Sequence, residues 1–150
     1  MESVSEFMSN DHHRLDRLFD EFKKKTVGDR AGSIKLFAEF KAGLEKHIGW
    51  EEGMLFRLVD RASENGPTLL TDELRTQHKR IKSLLDEISS KLAEGKEVTK
   101  PLENELELVL NAHDKLEEND AYPWIDKFVD SESLKGFFDE VEKGNRNLHL

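Results

Sequence analysis

The chain has 150 residues, no cysteine and a formal net charge of −9 at pH 7. The lack of cysteine excludes disulfide frameworks, iron–sulfur clusters, thiolate zinc sites and cysteine nucleophiles, and the acidic balance makes nucleic acid and membranes poor partners. With 37% charged residues and only three prolines, the composition favours long, solvated helices in one domain over residues 1–150.

Apolar residues recur at three- and four-residue steps through most of the chain, which is the period of an amphipathic α-helix. The first helix carries this pattern as far as residues 26–29. The second runs to a cluster of turn residues at 63–67, and the third ends near Gly95, a typical C-terminal stop. Three helices therefore precede residue 96.

The fourth helix begins with Thr99 as a cap and Pro101 in its first turn, and it runs to Pro123. A short fifth segment covers Leu134 to Val141 and ends by Gly144. The pattern therefore predicts one more long helix followed by one short helix.

Four long helices with short connections predict an all-α fold, an antiparallel up-down-up-down four-helix bundle with a short C-terminal fifth helix. The bundle core covers about residues 5–126, and the C-terminal appendage covers residues 131–150. The N-terminus lacks a basic start followed by an apolar run, and no stretch approaches about 18 apolar residues. The expected location is therefore the cytoplasm.

The second and fourth helices each contain the motif His-x-x-x-Glu-Glu, at His47–Glu52 and at His113–Glu118. The two motifs lie 66 residues apart, and the same offset relates His78 on the third helix to His12 on the first. A His and a Glu four residues apart lie on the same helix face, so both can bind one metal centre. The chain therefore consists of two copies of a helix pair.

Two histidines are adjacent on the first helix, and the apolar stripe distinguishes between them. His12 lies on the stripe formed by Met8, Leu15 and Phe19, whereas His13 lies about 100° away on an ideal helix. We therefore predict that His12 points inward and that His13 is a flanking polar residue.

Six polar residues are thus predicted on the apolar faces of their helices, and they are the candidate metal ligands: His12, His47, Glu51, His78, His113 and Glu117. Burial of several unpaired imidazoles and two unpaired carboxylates costs roughly several kcal/mol for each group. A metal removes this cost by accepting their lone pairs. Imidazole with carboxylate suits iron, with zinc or manganese as possible substitutes.

Two carboxylates supply enough oxygens to bridge two ions. We expect one iron to bind the two histidines of the first copy, the other to bind those of the second copy, and the two motif glutamates to span both. With an oxo or hydroxo bridge, each iron then has about five ligands, which leaves a position for a small molecule.

Three further residues lie beside the candidate ligands in the sequence: Glu52, Glu118 and Tyr122. Glu118 could replace Glu117 as the bridge, although Glu52 and Glu118 are expected to point outward and pair with basic neighbours. Tyr122 lies about 140° from Glu117 on an ideal helix, so we expect it to point away from the metals and to have no redox role.

These motifs together resemble the hemerythrin-like, HHE cation-binding family over roughly residues 5–126. The residues that carry the resemblance are Asp11-His12, Leu15-Asp16, Leu18-Phe19, His47-x-x-x-Glu51-Glu52, His78, His113-x-x-x-Glu117-Glu118 and Tyr122-Pro123. The resemblance implies a four-helix bundle with a non-haem di-iron centre. Members of the family bind dioxygen, sense oxygen or iron, respond to nitric oxide, or help to repair iron–sulfur clusters.

The third helix departs from the pattern of the oxygen-carrying members. Those proteins place two histidines four residues apart on this helix, but here the positions on either side of His78 are Leu74 and Lys82. The chain is therefore more similar to the symmetric four-His, two-Glu type of di-iron repair proteins. Those usually carry a cysteine-bearing N-terminal segment, which this chain lacks.

The expected function is a di-iron protein that binds or senses dioxygen, nitric oxide or peroxide. The alternatives are an iron-handling or iron–sulfur-cluster repair protein and a peroxidase-like or oxygen-reducing enzyme with the same centre. A bundle in which zinc only stabilises the fold is the simplest competing hypothesis.

Overall fold

The computed structural model describes residues 2–63 and 68–148. Within these ranges every regular element is helical and no strand is present, which is compatible with a four-helix bundle. The five helices are α1 (Val4–Lys25), α2 (Arg30–Trp50, continued by a π-helical turn Glu51–Leu55 and by Phe56–Ala62), α3 (Leu69–Ala93), α4 (Lys100–Leu116, continued by a π-helical turn Glu117–Ala121 and by Tyr122–Phe128) and α5 (Ser131–Leu148).

Several helix ends lie where the sequence predicts them. α1 ends at Lys25, directly before the predicted stop at residues 26–29. Gly95 follows the end of α3 with a φ of 72°, a left-handed conformation that glycine adopts without a steric penalty. Thr99 occupies the N-cap position of α4, although its side chain makes no capping hydrogen bond, and Pro101 lies in the first turn.

The predicted end of the fourth helix at Pro123 is wrong, because α4 continues to Phe128. The π-helical turn explains how the proline is accommodated. The backbone N–H of Tyr122 bonds to the carbonyl of Glu117, five residues back. Pro123 then lies in the first turn of the following α-helical segment, where a residue without an N–H is tolerated.

The fifth helix is longer than the predicted segment Leu134 to Val141. It runs from Ser131 to Leu148 and passes through Gly144, because a glycine inside a helix costs only about 1 kcal/mol relative to alanine. The predicted turn at residues 63–67 lies mostly outside the described residues.

The buried apolar side chains form two clusters, one towards each end of the helices. The first includes Phe19, Phe22, Phe37 and Phe40, which α1 and α2 contribute. The second lies at the other end and includes Phe137 of α5. The candidate metal ligands fall between the two clusters along each helix, so the fold places a polar layer inside an apolar core.

None of the helices in the described part of the chain is long and apolar enough to cross a membrane.

Candidate metal centre

All six candidate ligands point into this polar layer, and none is more than 3% exposed: His12, His47, Glu51, His78, His113 and Glu117. His13, one residue after His12, is exposed, as the apolar stripe of α1 predicts. Glu117, and not Glu118, enters the layer. The structure therefore brings together the whole set that the sequence singles out.

The nitrogen and oxygen atoms of the layer form two groups that could each hold a metal ion. One group contains Glu51, His78, His113 and Glu117, and the other contains His12, His47 and Glu117. Within each group the potential ligand atoms lie within 4.8 Å of one another. Glu117 belongs to both groups, so its carboxylate can bridge two ions.

The two copies of the helix pair share their carboxylates. Glu51 from the first copy places Oε1 3.0 Å from His78 Nε2 in the second copy, while its Oε2 lies 3.6 Å from His47 Nε2. Glu117 from the second copy places Oε1 3.1 Å from the Nε2 atoms of His12 and His113. Each histidine pair comes from one copy, and each carboxylate reaches both pairs.

Three of the four imidazoles are oriented by a hydrogen bond from their second ring nitrogen, which turns Nε2 towards the centre. The bonds run from His47 Nδ1 to Asp11 Oδ2 at 2.8 Å, from His78 Nδ1 to Glu52 Oε2 at 2.8 Å, and from His113 Nδ1 to Gln77 Oε1 at 2.6 Å. The buried Nδ1 of His12 has no hydrogen-bond partner, and Glu118 Oε2 lies 3.8 Å away.

Two of the three orienting partners match each other in the 66-residue repeat, since Gln77 corresponds to Asp11. The counterpart of Glu52 is Glu118, which makes no hydrogen bond to His12. The sequence patterns assign no role to Asp11 or Gln77. They predict that Glu52 points outward and pairs with a basic neighbour. Glu52 Oε2 does lie 3.9 Å from Lys82 Nζ, but the same oxygen also accepts a hydrogen bond from His78 Nδ1 inside the layer. The second Glu of each His-x-x-x-Glu-Glu motif is a sequence signal for Glu52, whereas Asp11 and Gln77 are different residue types at matching positions and carry no such signal.

The predicted position of Tyr122 is wrong. The side chain is fully buried, and its Oη lies 2.6 Å from Glu51 Oε2 and 2.9 Å from Glu117 Oε1. The prediction assumed α-helical geometry, but the π-helical turn Glu117–Ala121 takes five residues to return to the same face. Tyr122 therefore faces the polar layer, within hydrogen-bond distance of both motif glutamates.

The carboxylates of the polar layer raise the pKa of the His47 and His113 imidazoles. Burial alone would lower the pKa of His113, but the carboxylates of Glu117 and Glu51 raise that pKa to about 10. Burial also opposes protonation of His47, and Glu51 and Asp11 nevertheless raise its pKa well above the usual range. Burial alone would raise the pKa of the Glu51 carboxyl, but the positive charge of His47 holds it well below its usual range.

The carboxyl group of Asp114 also borders the layer, on the side of His12. Asp114 Oδ1 lies 3.3 Å from His12 Nε2, and burial raises the pKa of Asp114 to about 7. The sequence patterns do not single out Asp114. In the repeat its counterpart is the apolar Ile48, so the two halves of the layer differ here.

These pKa shifts predict how the stability of metal-free protein depends on pH. Protonated His113 stabilises the fold fully below its unfolded pKa of 6.5, and this contribution is lost as the pH rises towards 10. The raised pKa of Asp114 likewise makes the folded state less stable as the pH rises from about 4 to about 7. Ionised Glu51 contributes above its unfolded pKa of 4.5 and loses that contribution as the pH falls.

Thermal unfolding of chelator-treated protein should therefore give its highest midpoint at about pH 4 to 5, with a steady fall towards pH 9. Metal-loaded protein is the control, and its midpoint should not fall over this range because bound imidazoles are already deprotonated. A midpoint of the metal-free protein that rises from pH 6 to pH 9 would contradict this account.

The donor set fits a metal centre. Imidazole and carboxylate are ligands for iron, manganese and zinc. Glu117 Oε2 is buried without a hydrogen-bond partner, and an unpaired buried polar atom costs about 1–3 kcal/mol. A cation beside this oxygen would remove that cost.

Comparison with known proteins gives one match. A family model described as the hemerythrin HHE cation binding domain matches residues 3–125, a range that contains all six candidate ligands and Tyr122. No curated protein and no solved structure matches the chain significantly.

Proposed function

The chain belongs to the hemerythrin HHE cation-binding domain family, and from this membership we propose a non-haem di-iron protein that binds or senses a small molecule such as dioxygen, nitric oxide or peroxide. The observation that carries the proposal is the buried layer in which four imidazoles and two carboxylates form two overlapping groups of ligand atoms. Iron accepts both ligand types. When bound, the ions would supply redox and Lewis-acid chemistry.

Each ion would take two histidines from one copy of the helix pair. His12 and His47 would hold one ion, because their ring centroids are 4.7 Å apart. His78 and His113 would hold the other, because their ring centroids are 4.6 Å apart. The two glutamates would span both ions. The orienting hydrogen bonds at Nδ1 would keep Nε2 directed at the centre during binding and release of a ligand.

The surroundings of the centre favour a small neutral ligand. All six candidate ligands are almost inaccessible to solvent, and apolar clusters lie on both sides of the layer. On the side of His78 the wall is the ring of Phe56, which stacks on the imidazole at a centroid distance of 5.5 Å. A large or charged substrate would have to displace the core, whereas a diatomic molecule would not.

A di-iron enzyme of the peroxidase-like or oxygen-reducing kind is the second candidate. Such chemistry needs proton donors near the ions. The Tyr122 hydroxyl and the Asp114 carboxyl lie 3.2 and 3.3 Å from His12 Nε2, and both are on the same half of the centre. Continued consumption of dioxygen or peroxide by reduced protein with an electron donor would favour the enzyme, and uptake that stops at one molecule per centre would favour binding.

We also infer that the helices follow one another in up-down-up-down order. His12 lies beside His47 and Phe22 beside Phe37, so residues early in α1 meet residues late in α2. The 66-residue repeat supports the same relation between α3 and α4.

The proposal predicts two metal ions per chain. Elemental analysis of protein made in iron-replete cells should find about two iron atoms per chain, because the layer offers two groups of ligand atoms that share Glu117. Chelator-treated protein reloaded with ferrous iron under nitrogen should return to the same ratio. One tightly bound ion, or zinc taken up in preference to iron, would count against a di-iron centre.

A further inference from the structure

We propose that Tyr122 is a ligand of the ion held by His12 and His47, and of that ion alone, so that the two ions of the centre have different ligand sets. This inference rests on the proposed function, because it requires that the polar layer binds metal. It adds a phenol oxygen to the four imidazoles and two carboxylates.

The position of the phenol oxygen relative to four ligand atoms is the first observation. Tyr122 Oη lies 3.2 Å from His12 Nε2, 3.3 Å from His47 Nε2, 2.6 Å from Glu51 Oε2 and 2.9 Å from Glu117 Oε1. These four atoms are the ones that face the proposed ion of the first copy. The phenol oxygen is therefore in contact with every protein ligand of that ion.

These distances match the spacing of ligands around one metal ion. In octahedral coordination each ligand has four neighbours at right angles, and metal–ligand bonds of about 2.0–2.2 Å place such neighbours about 3 Å apart. The four distances from Tyr122 Oη lie on both sides of this value. A hydroxyl proton can serve only one of the two carboxylates, whereas a cation between the phenol oxygen and the carboxylates would attract all of them.

The repeat restricts the phenol to one ion. The residue that corresponds to Tyr122 in the first copy is Phe56, and each follows a π-helical turn that begins at a glutamate of the layer. Phe56 stacks on His78 and offers no ligand atom. The ion held by His78 and His113 would therefore lack the phenol.

The phenol is shielded from solvent and surrounded by the proposed ligands. Tyr122 is fully buried, and within the described part of the chain the hydrogen-bond partners of its hydroxyl all belong to the proposed ligand set. No movement of the backbone would be needed for coordination, because the oxygen already lies among the ligand atoms. On binding, the phenol oxygen would form a bond to the metal and its proton would leave to solvent.

The experiment uses the fact that Tyr122 is the only tyrosine of the chain. Ferric-loaded wild-type protein should show a visible phenolate-to-iron charge-transfer band, and resonance Raman excitation within that band should enhance tyrosinate ring vibrations. The variant Tyr122→Phe keeps the ring and should lose both signals. The matched control is Phe56→Leu, which changes the corresponding position of the other copy and should keep both.

Elemental analysis of the same samples separates the possible outcomes. Wild-type protein with two irons but no tyrosinate signal would overturn the inference and leave the proposed function standing. Wild-type protein that binds no iron would overturn both. Loss of the signals in Tyr122→Phe, whether it keeps two ions or only one, would support the inference, and an unchanged spectrum would refute it. If the variant failed to fold, the tyrosinate vibrations of the wild type would still decide.

Discussion

Alanine in place of His47 or of His113 should prevent the protein from holding its full complement of metal. In the proposed centre, each change removes one of only two imidazoles on an ion. Changes to residues that merely orient a ligand commonly weaken metal binding about 10–100-fold, so loss of the ligand itself should cost at least as much. His12 and His78 occupy corresponding positions in the repeat, and each is likewise one of two imidazoles proposed for its ion, so His12→Ala and His78→Ala should have effects of similar size.

The matched control for His12→Ala is His13→Ala, since His13 is the next residue and is exposed. Competition with a chromophoric chelator gives the metal affinity of each variant, and circular dichroism checks that the helices persist. His13→Ala should bind metal like the wild type. If His13→Ala emptied the centre while His12→Ala left it loaded, the assignment of His12 as the ligand from α1 would be wrong.

Replacement of Glu117 by glutamine should weaken the binding of both ions at once. Glu117 is the one residue shared by the two groups of ligand atoms, and glutamine keeps its size while removing the charge and one oxygen acceptor. We therefore expect the affinity for both ions to fall by more than about 100-fold, beyond the usual effect of an orienting residue. Isothermal titration with ferrous iron under nitrogen would measure both sites.

The neighbouring Glu118 provides the control, because its side chain is 31% exposed and lies outside the layer. Glu118→Gln should leave the stoichiometry at two ions and change the affinity little.

A second readout of the Glu117→Gln variant comes from the metal-free protein. Since Glu117 is the largest attractive influence on the raised pKa of His113, Glu117→Gln should reduce the loss of stability between pH 6.5 and pH 9. Glu117→Gln protein that still binds two ions as tightly as wild type would show that Glu117 does not bridge.

The sequence predicts which side chains form the buried polar layer, because that layer depends on regular helix geometry and on an internal repeat. The apolar stripe distinguishes His12 from His13, and the 66-residue offset relates the two His-x-x-x-Glu motifs without any alignment. The spacing of i and i+4 holds through Glu117, because the π-helical turn starts only at that residue. The family expected from these motifs is also the one whose model matches the chain.

Periodicity in the sequence does not predict the structure correctly beyond Glu117, where the helix changes from α-helical to π-helical pitch. Residues 118–120 are Glu, Asn and Asp, so no apolar periodicity records the extra residue in the turn. An α-helical extrapolation consequently places Tyr122 on the wrong face and ends the helix at Pro123. The same limitation applies to Asp11, because a hydrogen bond between two helices depends on their packing, which periodicity along one helix does not contain.

The sharing of carboxylates between the two copies of the helix pair leaves neither copy with a complete centre of its own. A molecule with only one copy would supply two imidazoles and one glutamate, and that glutamate would also reach towards the imidazoles of another molecule. Such a molecule would need a second copy of itself to hold two ions, so its metal binding would depend on protein concentration. With both copies in one chain, the encounter is permanent and independent of concentration. A single chain also allows the two copies to differ, as they do at Tyr122 and Phe56.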